Sequence, residues 1–253
     1  MKPIKIENKI NNFSTKINVD SDKSISIRWI LFASQAIGKS TAYNLLMSED
    51  VLSAIKCLKK LGIKVNLSRH KCEIFGNGLN GFKYKKNIIL NAGNSGTLGR
   101  LILPLLVKSP VKIKLIGDKS LSKRDFTRII DPLKKFGATF FPKKSSKIPI
   151  YIKGSDFIRP INYLENKGSA QCKSAVMLAA MNAPGITRIK AKKSRNHTEN
   201  FFKNLNIPIK IKKNKNFDFI EVKGQKNFLG FNYKIPGDIS SSAFFVVLTI
   251  LSK

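Results

Sequence analysis

Basic and hydroxyl residues cluster directly after polar residues that can begin helices, an arrangement suited to binding anions. The first such start reads Ser21-Asp22-Lys23-Ser24, and Arg28 follows about one turn later. Ser24 and Arg28 are four positions apart and so share a helix face. A helix N-terminus presents unpaired N–H groups and a partial positive charge, so these side chains could hold a carboxylate or a phosphate. A capped helix with two solvated bases is the alternative interpretation.

Two further helix starts offer similar chemistry. Asn94-Ser95-Gly96-Thr97 lies among several glycines, which allow a ligand to approach the backbone closely. Arg100 follows this start and points either toward it or away from it. The start Ser169-Ala170-Gln171 offers a hydroxyl, backbone amides and a side-chain amide, which suit a phosphate together with a hydroxyl-bearing ring. A plain helix cap would explain it too.

Arg124 closes the segment Gly117-Asp118-Lys119-Ser120-Leu121-Ser122-Lys123-Arg124. This segment predicts a turn before another helix. A guanidinium there can bind a phosphate through two parallel hydrogen bonds, although the residue alone is a weak signal.

The elements that must position these residues recur about every 70 residues, in two series. One series predicts helices that begin near Ser48, Ser122 and Ser194 and end before a residue that tolerates a left-handed conformation, namely Gly62, Gly137 and Asn206. The other series predicts helices capped by Asp22, Ser95, Ser169 and Asp238. Short β-branched or aromatic runs between the helices predict strands at 71–75, 87–90, 111–116, 149–152 and 217–222. Each unit is therefore expected to hold two helices and about four strands, an α/β (α+β) repeat.

The fourth unit begins at Gly237 and supplies one predicted helix, at 240–252. A half-unit leaves apolar faces without partners. We therefore expect the chain to be truncated relative to a longer parent, or its fold to be completed by something else.

Several segments resemble nucleotide-binding or catalytic motifs but lack a residue or an element that the motif requires. Residues 76–81 match G-x-G-x-x-G, but a strand-like segment follows where a helix is required. Residues 38–41 resemble the end of a P-loop, but Ala33 stands where its first glycine belongs. His197 could act as a base, yet no nucleophile pattern accompanies it, and a polar residue at a helix start is the favoured interpretation. The three cysteines show no C-x-x-C pair, which disfavours a zinc site.

The net charge of +32, from 47 basic and 15 acidic residues, would attract nucleic acids, acidic membranes or small polyanions. Because the lysines are scattered over nearly every segment, a solvated basic surface is the favoured interpretation. No transmembrane stretch and no export signal is recognised, so we expect a cytoplasmic protein.

Six ordered motifs resemble the 5-enolpyruvylshikimate-3-phosphate synthases, also called 3-phosphoshikimate 1-carboxyvinyltransferases: SDKSISIR, GNSGTLGRL, GDKSLSKR, SAQCKSAVMLA, SRNHTE and PGDISSSAFF. This resemblance implies an enolpyruvyl transferase-like fold of βαβαββ repeats, here three units plus the start of a fourth. It also implies that residues 21–237 form a first domain of three repeats. Residues 1–20 would supply N-terminal strands of an incomplete second domain, and residues 238–253 its next segment.

The same resemblance implies site residues. Those expected to bind shikimate 3-phosphate are Lys23, Ser24, Arg28, Ser169, Ala170, Gln171 and Arg195. Those expected to bind phosphoenolpyruvate are Lys23, Asn94, Gly96, Arg124 and Gln171. Asp125 stands where the family usually has proline, which is expected to loosen the turn and to place a negative charge beside Arg124.

The resemblance further implies no metal, no cofactor, no nucleic acid or membrane partner, and a monomer when complete. The acid–base residues of the family are expected beyond residue 253, so the chain alone is expected to be inactive. Three alternatives remain open. They are a UDP-N-acetylglucosamine enolpyruvyl transferase, a basic nucleic-acid-binding repeat protein, and a regulatory or vestigial fragment. The first is disfavoured because 120–123 lacks the cysteine of that family.

Overall fold

The computed structural model describes residues 14–68, 71–85, 87–142 and 146–251. The helices are α1 (Lys23–Gln35), α2 (Glu49–Lys60), α3 (Gly96–Ile102), α4 (Lys119–Ser122), α5 (Thr127–Phe136), α6 (Ala170–Ala180), α7 (His197–Asn204) and α8 (Ile239–Leu251). The strands are β1 (Ile37–Tyr43), β2 (Lys64–Leu67), β3 (Lys71–Asn77), β4 (Ile89–Asn91), β5 (Ile113–Ile116), β6 (Thr139–Phe141), β7 (Ile150–Lys153), β8 (Asn162–Glu165), β9 (Ile186–Lys192), β10 (Ile209–Lys213), β11 (Phe217–Lys223) and β12 (Asn232–Lys234). A 3₁₀ turn, Leu103–Leu106, follows α3.

The predicted caps begin the helices of the second series. Asp22, Ser95 and Ser169 each accept a hydrogen bond from a backbone N–H three residues ahead, at 2.7, 3.2 and 3.3 Å. Asp238 precedes α8, and its carboxylate accepts from the Ser240 N–H at 2.8 Å. Each polar side chain thereby satisfies one N–H that the helix itself leaves unpaired.

The left-handed positions that end the first series are also confirmed. Gly62, Gly137 and Asn206 have φ values of 80°, 118° and 52° and follow α2, α5 and α7. The predicted starts are less accurate. Ser48 directly precedes α2, but residues 119–122 form the separate turn α4, so α5 begins at Thr127 rather than near Ser122. The last helix of this series, α7, begins at His197, three residues after the predicted start at Ser194.

Three four-stranded sheets with one shared topology confirm the α/β repeat. Their strand orders are β12-β1-β3-β2, β4-β5-β7-β6 and β8-β9-β11-β10. In each sheet the first two strands are parallel and the others pair antiparallel. Since a helix connects each parallel pair within a unit, the order βαβαββ follows directly for the second and third units.

The first unit is closed by a strand from far along the chain. Its helices α1 and α2 and strands β1 to β3 lie at the start, yet the parallel partner of β1 is β12, with Thr41 opposite Asn232. Residues 232–234 therefore complete the first sheet after the third unit has been built. This strand was not predicted from the sequence, because a run of three residues carries almost no periodic signal.

One helix from each unit lies in the interior, and the sheets lie outside. Every residue of α1 from Ser26 to Gln35 is buried, and α6 is buried from Cys172 to Ala180. Helices that are apolar on all sides occupy cores, and α3 packs against both α1 and α6. The sheets show an alternating pattern, as in β9, where Ile189 is buried and Lys190 is exposed. The polar residues expected to bind ligands therefore lie in the first turns of three core helices, α1, α3 and α6.

The apolar helix α8 has no buried residue. Phe244 is 79% exposed, for example. Just before α8, the chain pairs with the segment that precedes α1. The Asp22 N–H donates to the Pro236 carbonyl at 2.9 Å, and the Asp238 N–H donates to the Asp20 carbonyl at 2.8 Å. Within the described ranges, no helix combines the length and apolar character needed to cross a membrane.

Candidate active site

Two guanidinium groups lie against the first turn of α3. A Cβ atom at Gly96 would stand 2.7 Å from Nη1 of Arg124 and 3.1 Å from Nη1 of Arg100. The absence of a side chain at Gly96 is therefore what lets both arginines approach the helix. Helix N–H groups and two guanidinium groups together form an environment for a carboxylate or phosphate. The structure thus brings together Gly96 and Arg124, as the sequence analysis expected.

Arg100 turns toward this cluster, which resolves the orientation left open by the sequence. Its Nη1 donates a 2.8 Å hydrogen bond to Oε1 of Gln171, and its guanidinium carbon lies 5.3 Å from the ring centroid of Phe126. Burial lowers the pKa of Arg100, and the nearby Arg124 acts in the same direction. The four-residue spacing from Gly96 to Arg100 was the available signal, since it places both on one helix face.

Gln171 is fixed at both ends of its amide. While Oε1 accepts from Arg100, Nε2 donates to Oγ1 of Thr97 at 3.0 Å. This pair of bonds joins the N-terminal turn of α6 to α3. Beside it, Ser169 caps α6, and the Ser169 N–H donates to Oε2 of Glu165 at 3.0 Å. Ala170 is the first residue of the helix.

Arg28 is a buried residue rather than a surface residue. It is 4% exposed. Its Nε donates to Oγ1 of Thr198 at 3.0 Å, Nη1 to the Ser24 carbonyl at 3.1 Å, and Nη2 to Oγ of Ser174 at 3.3 Å. Burial lowers the pKa of Arg28 to about 10, so the group stays charged at neutral pH. Three of its five N–H groups make these bonds, and the other two form no hydrogen bond to a described residue.

Three other expected site residues bond to nearby side chains of the protein: Lys23, Asn94 and Arg195. Nζ of Lys23 lies 3.1 Å from a carboxylate oxygen of Asp50, and its side chain is 51% exposed. Nδ2 of Asn94 donates to Asp118 at 2.6 Å, and Nη2 of Arg195 to Oγ of Ser240 at 3.4 Å. An exposed ion pair contributes less than about 1 kcal/mol. Reorienting Lys23 toward an anion would therefore cost little.

Asp125 bonds to the residue two positions ahead, at the start of α5. Its Oδ1 accepts hydrogen bonds from both the N–H and the hydroxyl of Thr127, at 3.1 and 2.7 Å. These bonds cap the start of α5 and hold the pKa of Asp125 below its ordinary value. A carboxylate that bonds two residues ahead constrains the chain locally, and the expectation that Asp125 loosens this turn relative to proline stays a prediction.

A buried ion pair that the sequence analysis missed lies in the same region. Nζ of Lys173 in α6 is 2.6 Å from Oε1 of Glu199 in α7, and the side chains are 0% and 4% exposed. His197 begins α7, and burial lowers its pKa. The only sequence signal for the pair was a charged residue, Lys173, inside a helix rich in small and apolar residues.

Comparisons with known proteins agree with this architecture. The model of the family "EPSP synthase (3-phosphoshikimate 1-carboxyvinyltransferase)" matches residues 7–253. A 3-phosphoshikimate 1-carboxyvinyltransferase of Bacillus cytotoxicus is 36% identical over 233 residues, which are 91% of this chain and 54% of the relative. The enzyme of the same name from Caldicellulosiruptor saccharolyticus is 39% identical over 253 residues, 98% of this chain and 57% of the relative.

A solved structure of EPSP synthase from Acinetobacter baumannii superposes with a TM-score of 0.83 at 33% identity. The superposition covers 92% of this chain and 52% of that one. The chain thus spans about half the length of the relatives that it matches. On the family match over nearly its whole length, the chain belongs to the EPSP synthase (3-phosphoshikimate 1-carboxyvinyltransferase) family.

Proposed function

We propose that this chain supplies one wall of the active site of an enzyme that transfers the enolpyruvyl group of phosphoenolpyruvate to shikimate 3-phosphate. In this reaction the 5-hydroxyl oxygen bonds to C2 of phosphoenolpyruvate while C3 is protonated. The tetrahedral intermediate then expels phosphate, which leaves the enolpyruvyl ether. The names of the relatives support this assignment.

The observation that carries the proposal is the close approach of Arg124 and Arg100 to the first turn of α3 at Gly96. Phosphoenolpyruvate carries a phosphate and a carboxylate within a few ångströms of each other. Either group could accept hydrogen bonds from the guanidinium of Arg124 and from the free N–H groups of α3. Asn94 lies in the same loop, and Gln171 in the adjoining turn of α6.

Shikimate 3-phosphate is assigned to the starts of α1 and α6. Ser169, Ala170 and Gln171 surround the N-terminus of α6, where a phosphate would meet unpaired N–H groups. Arg28 approaches the same helix from α1 through its bond to Ser174. Lys23, Ser24 and Arg195 are proposed as further contacts of this substrate, with Lys23 reaching both substrates.

We propose residues 21–237 as one domain. Support comes from the isolated bridge between Ser21 and Gly237, where the two ends of this range run antiparallel. Residues 238–253 would then begin a second domain, to which 1–20 also contribute; of these, 1–13 and 252–253 lie outside the described residues. A cytoplasmic location and a monomeric state remain predictions.

The chain alone is proposed to bind substrates without turning them over. Among the described carboxylates near the helix starts, Asp22 and Asp118 cap α1 and α4, and Glu165 accepts from two backbone N–H groups. A general acid or base must instead be free to reach the substrate. These carboxylates bond to the protein backbone, so they are not free to reach a substrate.

Calorimetric titration of the purified 253-residue chain tests the proposal. Shikimate 3-phosphate should bind saturably, and phosphoenolpyruvate should bind in its presence but not to Arg124→Gln. UDP-N-acetylglucosamine should not bind, and no phosphate should be released from a mixture of the two substrates. Absence of saturable shikimate 3-phosphate binding would refute the substrate assignment, and phosphate release above background would refute the lack of turnover.

A further inference from the structure

Ser174 and Thr198 form a buried hydroxyl pair that receives the Arg28 side chain. Oγ of Ser174 and Oγ1 of Thr198 are 2.7 Å apart, and each residue is 1% exposed. Arg28 donates to both, at 3.3 and 3.0 Å. The three residues come from α6, α7 and α1, so the cluster ties the first unit to both helices of the third.

The hydrogen-bonding capacity of these groups fixes their arrangement. A guanidinium has five N–H donors and no acceptor, so both hydroxyl oxygens must accept from Arg28. One hydroxyl then donates to the other across 2.7 Å. Together with the bond to the Ser24 carbonyl, three directed bonds lock the plane of the guanidinium. The two unused N–H groups consequently have one orientation available.

The buried ion pair lies next to both hydroxyls. Lys173 precedes Ser174 in α6, and Glu199 follows Thr198 in α7. A 2.6 Å contact between these charges therefore sets the separation of the two backbone segments that carry the hydroxyls. Buried ion pairs add little net stability compared with apolar residues, but they can fix which partners meet. In addition, the negative charge of Glu199 favours the charged form of Arg28.

We infer that Ser174 and Thr198 are positioning residues, which hold the Arg28 guanidinium in the orientation that receives shikimate 3-phosphate. The ion pair between Lys173 and Glu199 maintains the spacing of their two helices. The same cluster sets the start of α1 against the start of α6, so it aligns the two helix ends assigned to that substrate. This inference rests on the proposed function, because it takes Arg28 to be a substrate contact.

The test compares Thr198→Val, which keeps the shape and removes the acceptor, with Thr198→Ser, which keeps the acceptor. We expect Thr198→Val and Ser174→Ala each to weaken shikimate 3-phosphate binding about tenfold in calorimetry, the effect of about one hydrogen bond to a charged group. Thr198→Ser should bind within about twofold of the unmodified chain. Ile152→Val, in β7 of another sheet, is the control for a loss of stability without a change at Arg28. Equal affinity of the unmodified chain and Thr198→Val would overturn the inference.

A second readout needs no ligand. The Arg28 Nε–H is buried and bonded to Thr198, so its NMR signal should exchange slowly with solvent in the unmodified chain and in Thr198→Ser. Exchange should be at least about tenfold faster in Thr198→Val, because the donor loses its partner. If the unmodified chain fails to bind shikimate 3-phosphate, the proposed function fails, and the part of the inference that assigns Arg28 to this substrate fails with it. Unchanged exchange in Thr198→Val would overturn the positioning role itself, whatever the ligand data show.

Discussion

Arg100 of α3 donates a 2.8 Å hydrogen bond to the side-chain carbonyl of Gln171 in α6, across 71 positions of sequence. This bond joins the second and third repeat units at the helix ends proposed to bind the substrates. Because Thr97 holds the other end of the same amide, the Gln171 side chain has a fixed orientation in the absence of a ligand. A preoriented amide loses less conformational entropy on binding than a free one.

Replacing Arg100 by lysine should therefore weaken phosphoenolpyruvate binding. Lysine keeps the positive charge but loses the planar guanidinium that bonds Gln171 and lies over Phe126. We expect roughly a tenfold rise in the dissociation constant, measured by calorimetry in the presence of shikimate 3-phosphate. Arg159→Lys, on the surface beyond α5, is the matched control and should bind normally. Equal affinities for Arg100→Lys and the control would show that the bond to Gln171 has no role in binding.

Gly96→Ala should also weaken phosphoenolpyruvate binding, without loss of stability. The new methyl group would stand 2.7 Å from Nη1 of Arg124, which is the end of a flexible side chain and can move. The helix should tolerate alanine, which it generally favours over glycine by about 0.5–1 kcal/mol. The measurements are thermal unfolding and titration with phosphoenolpyruvate.

Gly99→Ala is the control for this substitution, because its methyl group would face Phe126 and Leu121, at 3.3 and 3.6 Å, rather than the arginines. It should alter stability while leaving affinity unchanged. The opposite pattern, with affinity lost in Gly99→Ala and retained in Gly96→Ala, would contradict the assignment of a ligand to the helix start at Gly96.

Breaking the buried ion pair should be costly, whereas replacing both partners should not. Lys173→Met removes the ammonium that contacts the buried Glu199 carboxylate, and we expect a loss of about 3–5 kcal/mol in the free energy of unfolding. The double variant Lys173→Met/Glu199→Leu should recover most of that loss. Urea denaturation of the two single variants and the double variant measures the coupling. Additive losses would mean that the two charges do not interact.

The stability of the chain should fall in acid partly through Asp118. Hydrogen bonds from the Leu121 N–H and then from Asn94 hold the pKa of this carboxyl below its ordinary value of about 3.9. A lowered carboxyl pKa stabilises the fold above the ordinary pKa, and that contribution is lost as the pH falls through the lowered value. Melting temperatures of Asp118→Asn and the unmodified chain should therefore differ at pH 6, and the difference should begin to shrink as the pH falls below about 4, the ordinary carboxyl pKa. A constant difference over that range would rule out the titration of Asp118 as the cause.

Local signals made part of this fold predictable from the sequence. Ser95 and Ser169 bond to an N–H three residues ahead, and Gly137 takes a left-handed conformation, so each acts through its immediate neighbours. Such contacts depend on residue type and short spacing, both of which a sequence displays directly. The recurrence of these caps was sufficient to predict the repeat.

Contacts between distant segments were not predictable in the same way. The pairing of β12 with β1 joins Asn232 to Thr41, and neither segment indicates its partner. Likewise, the direction of Arg100 and the contact of Lys173 with Glu199 depend on how α3, α6 and α7 pack. Helical spacing gives the face on which a residue lies but not which helix covers that face. The expected site residues could thus be named from the sequence, while the contacts that orient them required the structure.

We expect the N-terminal turns of the core helices, one from each repeat unit, to build a single anion-binding site. Backbone amides and arginine Nε–H groups can be followed by NMR while shikimate 3-phosphate and then phosphoenolpyruvate are added. Saturable shifts should appear at Ser24, Gly96, Ala170 and Gln171, together with the Arg124 side chain. Saturable shifts confined to surface lysine segments such as 83–85 and 210–213, with none at the three helix starts, would contradict this expectation.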